Sequence, residues 1–139
     1  MKKLVQSISF FLILSGVLTL TGCVPSGESE ENTTPLIGKW KWIQSSGGFA
    51  GETVTPESTG ESRSIEFGEM GIVTFYTNGE VTLSSTFRTD AEKTIFAEDP
   101  QPVLYVEGYF MYAYSFPYFD QLELSENVYD GYSHVYIKL

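Results

Sequence analysis

Cys23 and His134 are the only cysteine and the only histidine in this 139-residue chain. Thiols and imidazoles carry much of the nucleophilic and general-base chemistry of proteins, so their number and spacing bound what the chain can do. A single cysteine forms no disulfide within the chain. Its thiolate is nonetheless a nucleophile able to accept an acyl or diacylglyceryl group. His134 lies between Ser133 and Val135, and no Gly-x-Ser-x-Gly turn occurs anywhere to present a nucleophilic serine. Zinc sites draw on His and Cys at short spacing, which the chain lacks. Glu98-Asp99 beside Pro100, and the run Glu126 to Asp130, hold loop carboxylates that suit Ca²⁺, but neither has the spacing of an EF-hand loop. His134 therefore reads as a structural side chain, exposed or hydrogen-bonded, and no enzyme, metal or cofactor is expected.

The position of Cys23 explains its chemistry. Lys2 and Lys3 precede an apolar run from Leu4 to Leu20, and Leu20-Thr21-Gly22-Cys23 follows directly. The arrangement resembles a bacterial lipoprotein signal, whose lipobox ends in the cysteine that receives lipid. The resemblance implies a signal peptide over residues 1–22, cleavage before Cys23, and attachment to the cell envelope, in the outer membrane, through fatty acyl chains such as palmitate. An uncleaved membrane helix is the alternative, since the run is close to the lower limit of about 17 to 25 residues for a span.

Removing Lys2 and Lys3 from the eight basic residues leaves six against eighteen acidic ones, a formal charge of −12. Such a surface repels phosphate backbones, so nucleic acid is not an expected partner. Anionic headgroups repel it as well. Two or three acyl chains on Cys23 must then hold the protein to the membrane, because one chain binds only reversibly. Residues 23–35 comprise the lipidated cysteine and a run almost without apolar side chains, which reads as a flexible tether. Glu28, Glu30 and Glu31 within it read as a solvated spacer, and they also resemble the acidic stretches that direct some lipoproteins to the cell surface.

Residues 36–139 have room for one domain with one core, expected to be monomeric. The segments are short and rich in Tyr, Phe, Val, Ile and Thr, with Gly, Pro, Asn and Asp between them, so the domain reads as all-β. Strands are expected over Ile37–Ser46, Ser62–Phe67, Gly71–Tyr76, Glu80–Phe87, Lys93–Ala97, Val103–Ser115, Phe119–Ser125 and Tyr132–Lys138. Gly108 is read as a bend inside one long strand, for a count of about eight. A hairpin at Glu107-Gly108 would make nine. Gly47 to Glu61 is read as a long loop. For the hairpin over residues 71–84, a three-residue loop Thr77-Asn78-Gly79 pairs Phe75 with Val81 and Val73 with Leu83, which sets all four on one face. The alternation Lys39-Trp40-Lys41 places Trp40 in the core and both lysines in water.

Gly38-Lys39-Trp40 matches the Gly-x-Trp that opens the first strand of lipocalins. The wider runs Leu36 to Ile43, Ser45 to Phe49, Thr55 to Thr59, Leu122 to Asn127 and Tyr129 to Tyr136 resemble the lipocalin-like lipoproteins of Bacteroidetes-type bacteria. The chain lacks the Thr-Asp-Tyr signature of larger lipocalins and the arginine that packs over their first-strand Trp. Lys138 is the candidate replacement. The resemblance implies a small up-and-down antiparallel barrel, lipocalin-like, closed so that no strand edge is left unpaired. It also implies a small hydrophobic or amphipathic ligand, for which Trp40, Phe67, Phe75, Tyr105 and Tyr112 are the expected lining residues. The alternative is an envelope interaction or inhibitor module, its barrel filled by side chains.

Overall fold

The computed structural model describes residues 35–139. Cys23, the signal segment and the tether before Pro35 lie outside the described residues. Among the described residues, nine strands form one antiparallel sheet: β1 (Gly38–Gly47), β2 (Glu52–Val54), β3 (Arg63–Phe67), β4 (Ile72–Thr77), β5 (Glu80–Thr94), β6 (Ala97–Val106), β7 (Met111–Tyr118), β8 (Gln121–Glu126) and β9 (Tyr132–Lys138). From β3 onward each strand pairs with the next, and β9 returns to β1, so β1 and β3 to β9 close an eight-stranded up-and-down barrel. Closure is shared along β1. Gly38 to Lys41 pair with β3, and Trp40 to Gly47 pair with β9. β2 only extends the far end of β1 as a short hairpin.

Alternation divides inside from outside as the lysines around Trp40 suggest. Trp40 and Trp42 are buried, whereas Lys39 and Lys41 are exposed. A floor of packed side chains fills the end where the chain enters. Leu36, Trp40, Phe67, Val73, Phe87, Leu104, Val106 and Leu122 are all buried there or in the adjoining core. Phe67 and Phe87 meet edge to face at 5.0 Å, and Phe116 lies 5.9 Å from Trp40. The Trp40 indole N–H donates to the Leu36 carbonyl at 2.7 Å, which satisfies the one polar atom of that ring. Lys138 Nζ sits 5.0 Å from the Trp40 ring centroid, in the cation-over-Trp role expected of it.

Four sequence expectations need correction. The hairpin after β4 turns on two residues, Asn78 and Gly79, both at positive φ (54° and 84°), the backbone that a mirror-image tight turn requires. Tyr76 then faces Val81, and the mixing of faces that this turn would impose is removed one step later by a bulge. Thr82 is the extra residue, its hydroxyl donating to the Phe75 carbonyl at 3.2 Å. Phe75 consequently pairs with Leu83 and Val73 with Ser85, while Val81 is exposed.

Second, the expected strand Glu80–Phe87 runs on to Thr94 as β5, because Arg88 to Glu92 pair with β6 despite their polar character, and the expected strand Lys93–Ala97 holds instead the Ile95-Phe96 turn of that hairpin. Third, Val103–Ser115 is not one bent strand. Gly108 takes φ 77° and the Tyr109 N–H returns to the Val106 carbonyl at 3.0 Å, closing a hairpin between β6 and β7. The first part of β6 has no pairing to β7, and there Pro100 and Pro102 sit where no donor to a second neighbour is needed. Fourth, the loop Gly47 to Glu61 holds β2 and one helical turn, α1 (Pro56–Thr59). That turn starts at a Thr55–Ser58 capping box with Pro56 at its first position.

Candidate ligand-binding site

The barrel is packed at the floor and hollow toward the opposite end, the mouth. Trp42, Phe75, Tyr112, Leu124 and Tyr136 surround a cavity of about 220 Å³, with Arg63, Thr77, Glu126 and His134 supplying its polar wall. Each arrives by alternation from the floor. Trp42 follows Trp40 on β1, Phe75 follows Val73 on β4, and Leu124 with Glu126 follow Leu122 on β8. Tyr136 and His134 are alternate residues of β9. Aromatic rings supply the body of the pocket and a few polar atoms sit at one side, the usual composition of a small-molecule site.

The polar side is a pair of hydrogen bonds from Trp42 through Ser45 on β1 to His134 on β9, with Glu126 on β8 facing the imidazole beyond. The Trp42 indole N–H donates to Ser45 Oγ at 2.8 Å, and Ser45 Oγ lies 2.6 Å from His134 Nδ1. A serine oxygen can accept twice and donate once, so the direction of this contact follows the imidazole: with the ring proton on Nε2, Ser45 donates to Nδ1. Nε2 faces Glu126 Oε1 at 3.6 Å. The other Glu126 oxygen accepts the Tyr132 backbone N–H at 3.0 Å, which holds the carboxylate in place. Tyr132 stacks on His134 with ring centroids 6.3 Å apart, and Tyr112 presents an edge at the same separation. Across the cavity, Arg63 lies over the Trp42 ring at 4.5 Å and is held by Glu61 through contacts of 2.6 and 2.8 Å.

Burial sets the protonation states. It pushes the His134 pKa below its ordinary value, the Arg63 charge adding to the effect and the Glu126 carboxylate opposing it. A neutral imidazole leaves one ring nitrogen able to accept, as the short contact with Ser45 allows. Burial, helped by Glu126, raises Tyr112 to about 12, and burial raises Tyr136 further, so both phenols remain protonated donors. The Ser45 hydroxyl is 2% exposed and fully committed to Trp42 and His134. Its place in the chain orients the imidazole rather than presenting an oxygen to the cavity.

A pH dependence follows from His134. Its folded-state pKa is depressed, so below the ordinary histidine value of about 6.5 the unfolded chain takes up a proton that the folded chain resists. The stability contributed by the neutral ring is fully present above that value and declines as pH falls through it. Unfolding midpoints in urea between neutral pH and pH 5 should therefore drop in the wild type. His134→Gln should remove this part of the slope.

Of the residues expected to line a ligand site, Phe75 and Tyr112 line the cavity. Trp40 and Phe67 point inward but belong to the packed floor, 0% and 1% exposed. Tyr105 is contradicted. Leu104 and Val106 take the inward positions of β6, which turns Tyr105 outward opposite Arg88, whose guanidinium lies 3.8 Å from the ring centroid. Trp42, Arg63, Glu126, His134 and Tyr136 were not anticipated as lining residues. The alternation Trp40-x-Trp42 and His134-x-Tyr136 was a usable signal for three of them. Ser45 was hidden by a bulge between Trp42 and Gln44 that shifts its parity. In comparisons with known proteins, no family model, curated protein or solved structure matches the chain.

Proposed function

We propose that this chain is a lipid-anchored cell-envelope protein of the lipocalin-like lipoprotein type, whose barrel mouth holds a small amphipathic molecule. The observation that carries the reading is the half-filled barrel, with its aromatic-walled cavity of about 220 Å³ and an oriented hydrogen-bond chain along one side. A filled interior, which the interaction-module alternative requires, is confined to the floor. The committed Ser45 hydroxyl supports binding rather than turnover. The cavity is smaller than the roughly 300–1,000 Å³ of drug-sized sites. Its ligand is accordingly a compact molecule with an apolar body and one polar end that meets His134, Tyr112 or Glu126, not a macrocycle.

Screening the full chain by thermal shift and tryptophan fluorescence tests the idea. Short-chain fatty acids and small aromatic acids or alcohols should raise the melting temperature and quench Trp42, with a gain that grows with ligand concentration, about 2.7 kcal/mol at one hundred times Kd. Haem, flavins and bile acids should have no such effect. A shift with haem, and none with the compact probes, would sink the proposed ligand class.

The anchor has its own test. Cells fed radiolabelled palmitate should label the wild-type protein, and Cys23→Ser should abolish both label and membrane fractionation, while the barrel stays folded because residue 23 precedes it. Label retained on the serine variant would refute acylation at Cys23.

A further inference from the structure

We propose that the floor end of the barrel is a membrane-docking face, its partner a zwitterionic phospholipid surface. The inference rests on the lipid anchor at Cys23 proposed above, and deepens it by assigning an orientation.

Backbone pairings identify what lies at that end. Gly38, just after the chain enters at Leu36, pairs with Phe67, and the turn from β3 to β4 follows Phe67 directly. The Lys138 N–H donates to the Asp120 carbonyl at 2.8 Å and the Leu139 N–H to the Lys39 carbonyl at 2.9 Å. The turn from β3 to β4, the turn from β7 to β8 and the residues after β9 therefore surround the point where the chain enters the barrel. Four large apolar side chains on this ring stand in solvent: Met70 and Phe119 are at least nine-tenths exposed, and Tyr118 and Leu139 about two-thirds. Single exposed apolar residues are ordinary, but four around one chain end form a patch of the kind that marks an interaction site.

Charge separates this end from the other. Around the ring, Lys39 and Lys138 nearly offset Glu66, Glu69 and Asp120. The mouth carries Glu52, Glu61, Glu80, Glu126 and Asp130 against Arg63. Phe49, Val81, Ile95, Phe96, Val128 and Tyr129 are also exposed at that end, so apolar exposure alone does not choose between the two; what separates them is that the mouth sets its apolar residues among carboxylates that an anionic or densely hydrated headgroup layer disfavours. The floor is the end that a lipid surface repels least.

The tether selects the same end. From Cys23 to Pro35 the chain has twelve residue steps, and twelve residues reach at most about 40 Å whatever their conformation. Acyl chains at one end of the linker hold the floor within that distance of the bilayer. Tethering raises the effective concentration of the patch to the millimolar range, so contacts too weak for binding from solution suffice once the lipid is in place. The mouth then faces away from the membrane, and the cavity opens to water.

The test uses the full lipidated chain in phosphatidylcholine vesicles with a fraction of the lipid brominated in the acyl chains. Phe119→Trp places a reporter on the ring and Phe49→Trp places one at the mouth. Both positions are more than nine-tenths exposed, so the fold is retained, checked by an unchanged melting curve. Relative to wild type, the Phe119→Trp reporter should shift to shorter wavelength and lose most of its added emission to bromine, while the Phe49→Trp reporter stays unquenched. Flotation of the chain with the vesicles but no quenching at residue 119 overturns the docking face alone. Quenching at residue 49 in place of residue 119 overturns the orientation. Failure to float overturns the anchor and the docking face together.

Discussion

Trp40→Ala should lower the unfolding free energy by about 3 to 5 kcal/mol, the range for removing a fully buried Trp. The ring is 0% exposed, donates to the Leu36 carbonyl, touches Phe116 and carries Lys138 over one face. Its loss leaves a void in the floor, and that void lies where β1 meets both β3 and β9, so the remaining side chains cannot collapse into it without opening the barrel. Lys41, the adjacent outward residue, supplies the comparison. Lys41→Ser should change stability by less than about 0.5 kcal/mol. Urea midpoints for the two variants decide the matter, and equal losses would contradict the inward facing of Trp40.

Gly47→Ala should cost about 3 kcal/mol, for a different reason. A Cβ at residue 47 would lie 2.2 Å from the Gly131 carbonyl oxygen and 2.8 Å from the Tyr132 Cα, and both atoms are backbone. Gly47 also holds φ at +149°, a conformation that side chains rarely adopt. Strain of about 1–3 kcal/mol from the dihedral and a similar cost of overpacking combine there. Residue 47 pairs with Glu52 on one side and Tyr132 on the other, so relief requires β9 to move away from β1 at the mouth. Tyr132 stacks on His134, and the displacement should reach the cavity wall. Gly79→Ala is the control, because a Cβ there meets nothing within 4 Å and only the positive φ remains. Its cost should be about 1–2 kcal/mol. Similar losses at the two glycines would show that the seam accommodates the methyl group.

The parts of the fold that were legible in the sequence are those governed by a period of two over a single strand. Trp40 between two lysines, and the apolar alternation of β3, β4 and β8, needed no partner to be read. Register was not legible, because it depends on where an extra residue is inserted. The Asn78-Gly79 turn and the Thr82 bulge compensate each other, and neither alone explains the pairing. Parity carries across the hairpin between β6 and β7: the four residues Glu107 to Phe110 outside the strands leave it unchanged, so Leu104 and Val106 share their face with Tyr112 and Tyr114. Tyr105 and Tyr112, seven residues apart, could not both face inward, and the odd separation was the signal that would have divided them. The length of β5 was concealed by polar residues between Arg88 and Glu92, in a hairpin arm that is largely exposed. The hydrogen-bonded group beside the cavity joins Ser45 on β1 to His134 and Glu126 on the consecutive strands β9 and β8, and the contact with β1 spans most of the chain, so His134 read alone suggested only a structural side chain.

The central claim is that the hollow mouth holds a compact amphipathic molecule. It is tested most directly by native mass spectrometry of the full chain extracted under mild detergent from the envelope in which it is made, beside a variant whose mouth is filled. Thr77 faces inward at the cavity rim, and Thr77→Trp should occlude the space. The account predicts a small organic mass retained by the wild-type chain, released on unfolding and absent from Thr77→Trp. The bare lipidated mass in both, or the same adduct on both, would contradict it.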